Sequence, residues 1–112
     1  MQVPVVGKHG AGKSAFLRAA LHDPALAASG PEEEADGLRL QRAVCDHRGM
    51  RVSVDLVEFP ADERYLAILP HFGAAAACVV FVVNVTDPEC LGDLEVRINA
   101  LEGKPRCGLV VA

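Results

Sequence analysis

Apolar residues fall along this chain in short blocks whose spacing alternates between two periods. Val3, Pro4, Val5 and Val6 form an unbroken apolar block, the mark of a strand buried on both faces of a sheet. Pro4 is its awkward member, because it has no N–H for a ladder. Either it falls at a frayed strand start, or one backbone bond is missing there. Beyond Ser14, the residues Phe16, Leu17, Ala20 and Leu21 share one face of a helix that must end near His22 and Asp23, ahead of Pro24. Residues 24–36, with Gly30, Pro31 and the acidic run Glu32, Glu33 and Glu34, read as loop with at most one helical turn. The acidic run is most simply a solvated face, and a lid over a ligand is the functional alternative.

Alternation returns at Leu38, Leu40 and Val44 and again at Val52, Val54 and Leu56, which predicts a hairpin turning through His47, Arg48 and Gly49. Residues 62–69 predict a short helix with Tyr65, Leu66 and Leu69 inward, stopped by Pro70. Residues 74–85 predict a continuous buried strand. Leu91, Leu94, Ile98 and Leu101 recur at helical spacing before Gly103, and Leu109, Val110 and Val111 open another strand. The order β-α-β-β-α-β-α-β predicts an α/β fold, a mostly parallel sheet flanked by helices.

Between the first strand and the first helix lies Gly7-Lys8-His9-Gly10-Ala11-Gly12-Lys13-Ser14, which fits the phosphate-loop pattern G-x-x-x-x-G-K-[ST]. Glycines let backbone N–H groups turn toward phosphate oxygens without Cβ clashes. The predicted binding set is Gly7, Gly10, Ala11, Gly12, Lys13 and Ser14. Lys13 would reach the outer phosphates, Ser14 would offer its hydroxyl to Mg²⁺, and the helix dipole would add its positive end. A structural turn has no need of Gly-Lys-Ser at fixed offsets from an earlier Gly. With Gly at its average frequency, the pattern should arise by chance in a chain this long only about a few times in a thousand. His9 occupies a variable position of the loop and is expected to face solvent.

Composition narrows the partners. The 112 residues suffice for one domain, and 51% hydrophobic content argues against disorder. A formal net charge of -4 speaks against a nucleic-acid partner, which demands a basic surface. Cys45, Cys78, Cys90 and Cys107 form no C-x-x-C pair, which favours a reducing compartment. The longest apolar stretch is about half a membrane span, and the N-terminus lacks a signal-peptide layout, so a cytoplasmic protein is expected. No His, Cys, Asp and Glu set has zinc-ligand spacing.

A nucleotide hydrolase also needs an acid at the end of a neighbouring strand for the Mg²⁺ shell, and a group that orients water. Glu58 ends the third strand and is the natural acid, with a solvated strand-end carboxylate as its bland alternative. Asp55 points to the same face only with a shifted register. Taken together, the phosphate loop, the run Leu56-Val57-Glu58-Phe59-Pro60-Ala61-Asp62-Glu63, the pair His71-Phe72 and the strand Val79-Val80-Phe81-Val82-Val83-Asn84-Val85 resemble the Roc (Ras of complex proteins) domain of the ROCO family.

That resemblance implies a Ras-like P-loop fold, ending here before the last strand and helix. It implies a guanine nucleotide ligand (GTP or GDP) with Mg²⁺, flanking leucine-rich-repeat and COR domains, and homodimer formation. The departures carry information. Where the family commonly has Asp, Gly three residues on, then Gln, this chain has Glu58, Ala61 and Asp62, and the switch Thr aligns with Ala35. Binding machinery is present and hydrolytic machinery is weakened, so a GTP-binding switch or scaffold with impaired hydrolysis is expected. The rivals are a small P-loop ATPase or phosphotransferase, and a nucleotide-free pseudo-GTPase that holds partners.

Overall fold

The computed structural model describes residues 2–23, 26–71, 78–101 and 108–111. Its centre is β1 (Gln2–Gly7), which pairs in parallel with β5 (Met50–Glu58) on one side and β6 (Val79–Val82) on the other. Strand β7 (Gly108–Val111) extends the sheet parallel to β6. Across β5 lies β4 (Leu38–His47), and β4 also carries the short strands β2 (Leu26–Ala28) and β3 (Glu33–Ala35).

The expectation of a mostly parallel, Ras-like sheet is corrected here. The sheet is mixed: the three pairings around β1 and β6 are parallel, whereas β2, β3 and β5 all run antiparallel to β4. The longest ladder, from Arg39 opposite Glu58 to His47 opposite Met50, is antiparallel. Turn chemistry is the reason. A two-residue loop can join only antiparallel neighbours, and both hairpins use left-handed pairs: Asp36 and Gly37 at φ 53 and 83, Arg48 and Gly49 at φ 51 and 79. The helical cover is also thinner than expected: α1 (Lys13–Leu21), one 3₁₀ turn (Glu63–Leu66), the helical residues 69–71 and α2 (Cys90–Ala100) are what the described residues show.

Residues 26–28 and 33–35, expected as loop, are strands; Asp36-Gly37 is the hairpin signal that reveals the second of them. The helix expected over 62–69 shrinks to the 3₁₀ turn, and Pro70 does not stop it. Residues 69–71 are helical, and proline is tolerated in a first turn, where its missing N–H would be unpaired anyway. Of the strand expected over 74–85, Val79–Val82 is strand, residues 83–85 are not, and 74–77 lie outside the described residues, as does Gly103.

Pro4 sits inside β1, fully buried opposite Val57. Phe59 donates its N–H to the Val5 carbonyl, so Val5 faces β5 and its neighbour Pro4 faces the β6 side, where pairing begins only at Val5. The missing donor therefore costs no rung. Strand alternation splits the core in two. Val6, Val57, Phe59, Leu69, Val79, Phe81 and Leu101 pack on one face with Leu94 of α2 and Tyr65 of the 3₁₀ turn. Val3, Val5, Val54, Leu56, Val80 and Val82 pack on the other with Leu17, Phe16 and Leu21 of α1. On α2, Leu91 and Ile98 are exposed, and the buried polar residue is Arg97, whose Nε lies 3.1 Å from Asp93 Oδ2. No described helix is long and apolar enough to cross a membrane.

Candidate functional site

The turn from β1 into α1 is shaped by three glycines that serve different ends. A Cβ on Gly7 would stand 2.5 Å from the Val82 carbonyl oxygen, so the strand can approach β6 only without a side chain. Gly10 and Gly12 adopt φ 78 and 103, left-handed values that glycine reaches without strain. Gly12 occupies the N-cap of α1 and offers no capping side chain, so the first N–H groups of the helix are left for an outside acceptor. Ala11 donates its N–H to the Lys8 carbonyl at 3.0 Å, which closes the turn.

Lys13 Nζ donates to the carbonyls of Gly7 at 2.7 Å and Lys8 at 3.3 Å. Burial holds its ammonium below the ordinary lysine range, and the Arg97 charge pushes the same way; Glu58 and Asp93 oppose them. A phosphate oxygen would supply the negative partner that two neutral carbonyls replace only in part. Ser14 Oγ donates to Glu58 Oε1 at 2.9 Å across 44 residues of sequence. The pairing follows from strand parity: Glu58 continues the Val54 and Leu56 face, which α1 covers, so it arrives beside the first turn of that helix. Asp55 has the opposite parity. It stands across from Arg42, 3.6 Å from its Nε, and takes no part in the site.

These residues open onto a cavity of about 620 Å³. It is lined by His9, Gly10, Gly12, Lys13 and Ser14 of the loop and α1, by Glu58, Phe59, Pro60 and Ala61 at the end of β5, and by Glu34, Gly37 and Arg39 of the β3–β4 hairpin. Gly7 and Ala11 of the expected set shape the loop without lining this cavity. His9 is exposed at the rim. Asp62, at the position of the water-orienting Gln in the resembled family, is otherwise engaged. Its carboxylate caps the 3₁₀ turn, accepting from Arg64 N–H at 2.9 Å, Arg64 Nε at 3.0 Å and Arg64 Nη2 at 2.8 Å. The Arg64 guanidinium and N–H hold that carboxyl below its usual range.

Two features of the site went unread in the chain. Lys8, a variable loop position, reaches Asp87 Oδ2 at 3.1 Å and Glu89 Oε2 at 3.4 Å, tying the loop to the segment after β6. The hydrogen bond to Asp87 is the main cause that raises the Lys8 ammonium above its ordinary value. No local signal announces a contact between such distant positions. The hairpin wall carrying Glu34 and Arg39 had a signal in Asp36-Gly37. Gly37 is further constrained by Tyr65, whose hydroxyl donates to the Asp36 carbonyl at 3.0 Å and occupies the space a Cβ would need.

No protein-family model matches the chain, and no curated protein matches it.

Proposed function

We propose that this chain is a nucleotide-binding regulatory domain of the Roc type, which takes GTP and GDP with Mg²⁺ and hydrolyses GTP slowly. The observation that carries this reading is the meeting of Ser14 Oγ with Glu58 Oε1 beside Lys13, on a loop whose helix N-terminus is uncapped. A hydroxyl and a carboxylate are the hard oxygen donors that Mg²⁺ prefers, and two such donors plus water and phosphate oxygens match how that ion is usually held. Ser14 and Glu58 would hold the ion, which when bound supplies charge neutralisation between the outer phosphates. Lys13 would leave its two carbonyls for the phosphate tail, and the N–H groups at the start of α1 would donate to the same anion.

Slow turnover follows from Asp62. Its carboxylate is committed to Arg64 and so is not poised to orient an attacking water. Water positioning and transition-state charge carry most of the rate in this chemistry. The choice of guanine, the flanking leucine-rich-repeat and COR domains, homodimer formation and a cytoplasmic setting rest on the resemblance and on composition. Affinity for a phosphate tail rests on the loop.

Titration of the protein with GTP, GDP and ATP in the presence of Mg²⁺ tests the reading. Wild type is expected to bind GTP and GDP, and Lys13→Ala to lose both by at least about tenfold, as for a charge-assisted hydrogen bond removed from a buried setting. Failure to bind either nucleotide at millimolar concentration overturns it. Tighter binding of ATP than GTP transfers it to the ATPase class.

A further inference from the structure

Register across three strands sets a row of charges on the α1 face of the sheet. Glu34 of β3 stands opposite Arg39 of β4, and Arg39 stands opposite Glu58 of β5. Directly opposed residues share a face, and Glu58 fixes which face it is through its bond to Ser14. All three side chains line the phosphate-loop cavity. The described ion pair of Arg39 is with Glu32, Nε to Oε1 at 3.9 Å, and both side chains are more than half exposed. Such a pair is weak and readily exchanged for a better anion.

We propose that Arg39 recognises the terminal phosphate of a nucleoside triphosphate and makes the cavity prefer the triphosphate to the diphosphate. This deepens the nucleotide reading and rests on it. The loop amides would hold the inner phosphates, and Lys13 would reach toward the outer ones. A third phosphate extends away from the loop, toward the wall formed by Glu58, Ala61 and Gly37, and adds negative charge between two carboxylates. Unaided, Glu34 would repel it, while the charge of Glu58 is offset by the Mg²⁺ it would hold. Arg39 stands between them with a planar fork of donors that matches a phosphate edge and a weak exposed partner to relinquish. In the absence of a triphosphate the guanidinium stays with Glu32. The diphosphate ends short of the row and gains nothing from it.

The test compares Mg²⁺ titrations of a non-hydrolysable GTP analogue and of GDP, with adenine counterparts alongside, on wild type, Arg39→Ala, Arg39→Gln, Arg42→Ala, Arg18→Ala and Lys13→Ala. Arg42 lies on the same strand with the opposite parity, paired with Asp55. Arg18 also lines the cavity, from α1. Expected is a loss of about tenfold in triphosphate affinity for both Arg39 variants, the size of one charge-assisted hydrogen bond, with diphosphate affinity within about twofold and Arg42→Ala unchanged. Arg39 variants that weaken both nucleotides equally or neither, or discrimination lost in Arg18→Ala instead, overturn the proposal. Loss of both nucleotides in Lys13→Ala still leaves the phosphate-loop reading standing in those cases. Wild type that binds no nucleotide ends both.

Discussion

Gly7→Ala tests whether the loop depends on close approach of two backbones. The added Cβ would lie 2.5 Å from the Val82 carbonyl oxygen, whereas ordinary contact begins near 3.4 Å, so β1 and β6 must part by about 0.9 Å. Neither side can yield cheaply. The clashing atom belongs to backbone, and the next rung pairs Val6 with Phe81, both buried in the core. Overpacking of this kind costs about 1–3 kcal/mol, and the upper part of that range applies where backbone meets backbone. At about 4 °C per kcal/mol for a domain near this size, the midpoint of thermal unfolding should fall by roughly 8–12 °C. Urea denaturation at constant slope gives the free energy directly.

Two further glycines calibrate that result. Gly30→Ala meets nothing within 4 Å and no left-handed φ, and should stay within about 0.5 kcal/mol of wild type. Gly10→Ala also meets open space but must hold φ 78, and should cost about 1 kcal/mol. The Gly7 carbonyl also holds Lys13 Nζ, so the same shift should weaken nucleotide binding. A Gly7→Ala protein as stable as Gly30→Ala would refute the argument.

Three other perturbations follow from the same geometry. Asp93→Ala strands the buried Arg97 guanidinium and should cost about 3 kcal/mol, whereas Arg97→Met, which removes the charge, should be near neutral; urea unfolding of both variants checks the contrast. Burial lowers the Lys13 pKa, so below that lowered value both folded and unfolded states are protonated and the penalty is carried in full. As pH rises through it toward 10.5 the folded state releases its proton first and this residue's contribution improves, and Lys13→Met should abolish that part of the pH dependence of stability. Gly37→Ala places a Cβ on the Tyr65 hydroxyl, and because Tyr65 is the sole tyrosine in a chain without tryptophan, its fluorescence should shift as the 3₁₀ turn undocks.

The phosphate-loop pattern was fully legible because it is local: eight consecutive residues carry both the glycines that permit the turn and the lysine and serine that use it. That Glu58 and not Asp55 comes to lie beside Ser14 was legible by strand parity alone. The mixed sheet was legible in part: the hairpin through Arg48-Gly49 was read from the chain, whereas the Asp36-Gly37 turn that pairs β3 antiparallel with β4 lay in plain view and was not. Helical spacing in α2 marked the helix but does not by itself tell which of its apolar residues are buried: Leu94 and Leu101 pack inward. Leu91 and Ile98 face out, while Arg97, paired with Asp93 one turn away, takes an inner position. A charged residue can occupy such a place only when a partner is supplied, and periodicity of apolar residues does not register partners.

The chain alone determined the loop, its lysine and serine, the central β1 strand and the acid opposite. Those depend on neighbours in sequence or on the two-residue repeat of a strand. The tertiary structure decided that Lys8 is tied to Asp87, that Asp62 caps a turn and that Glu34, Arg39 and Glu58 stand in one row facing the cavity. Each of these depends on where a separate segment docks. Docking is set by long-range burial and register, which no local window contains.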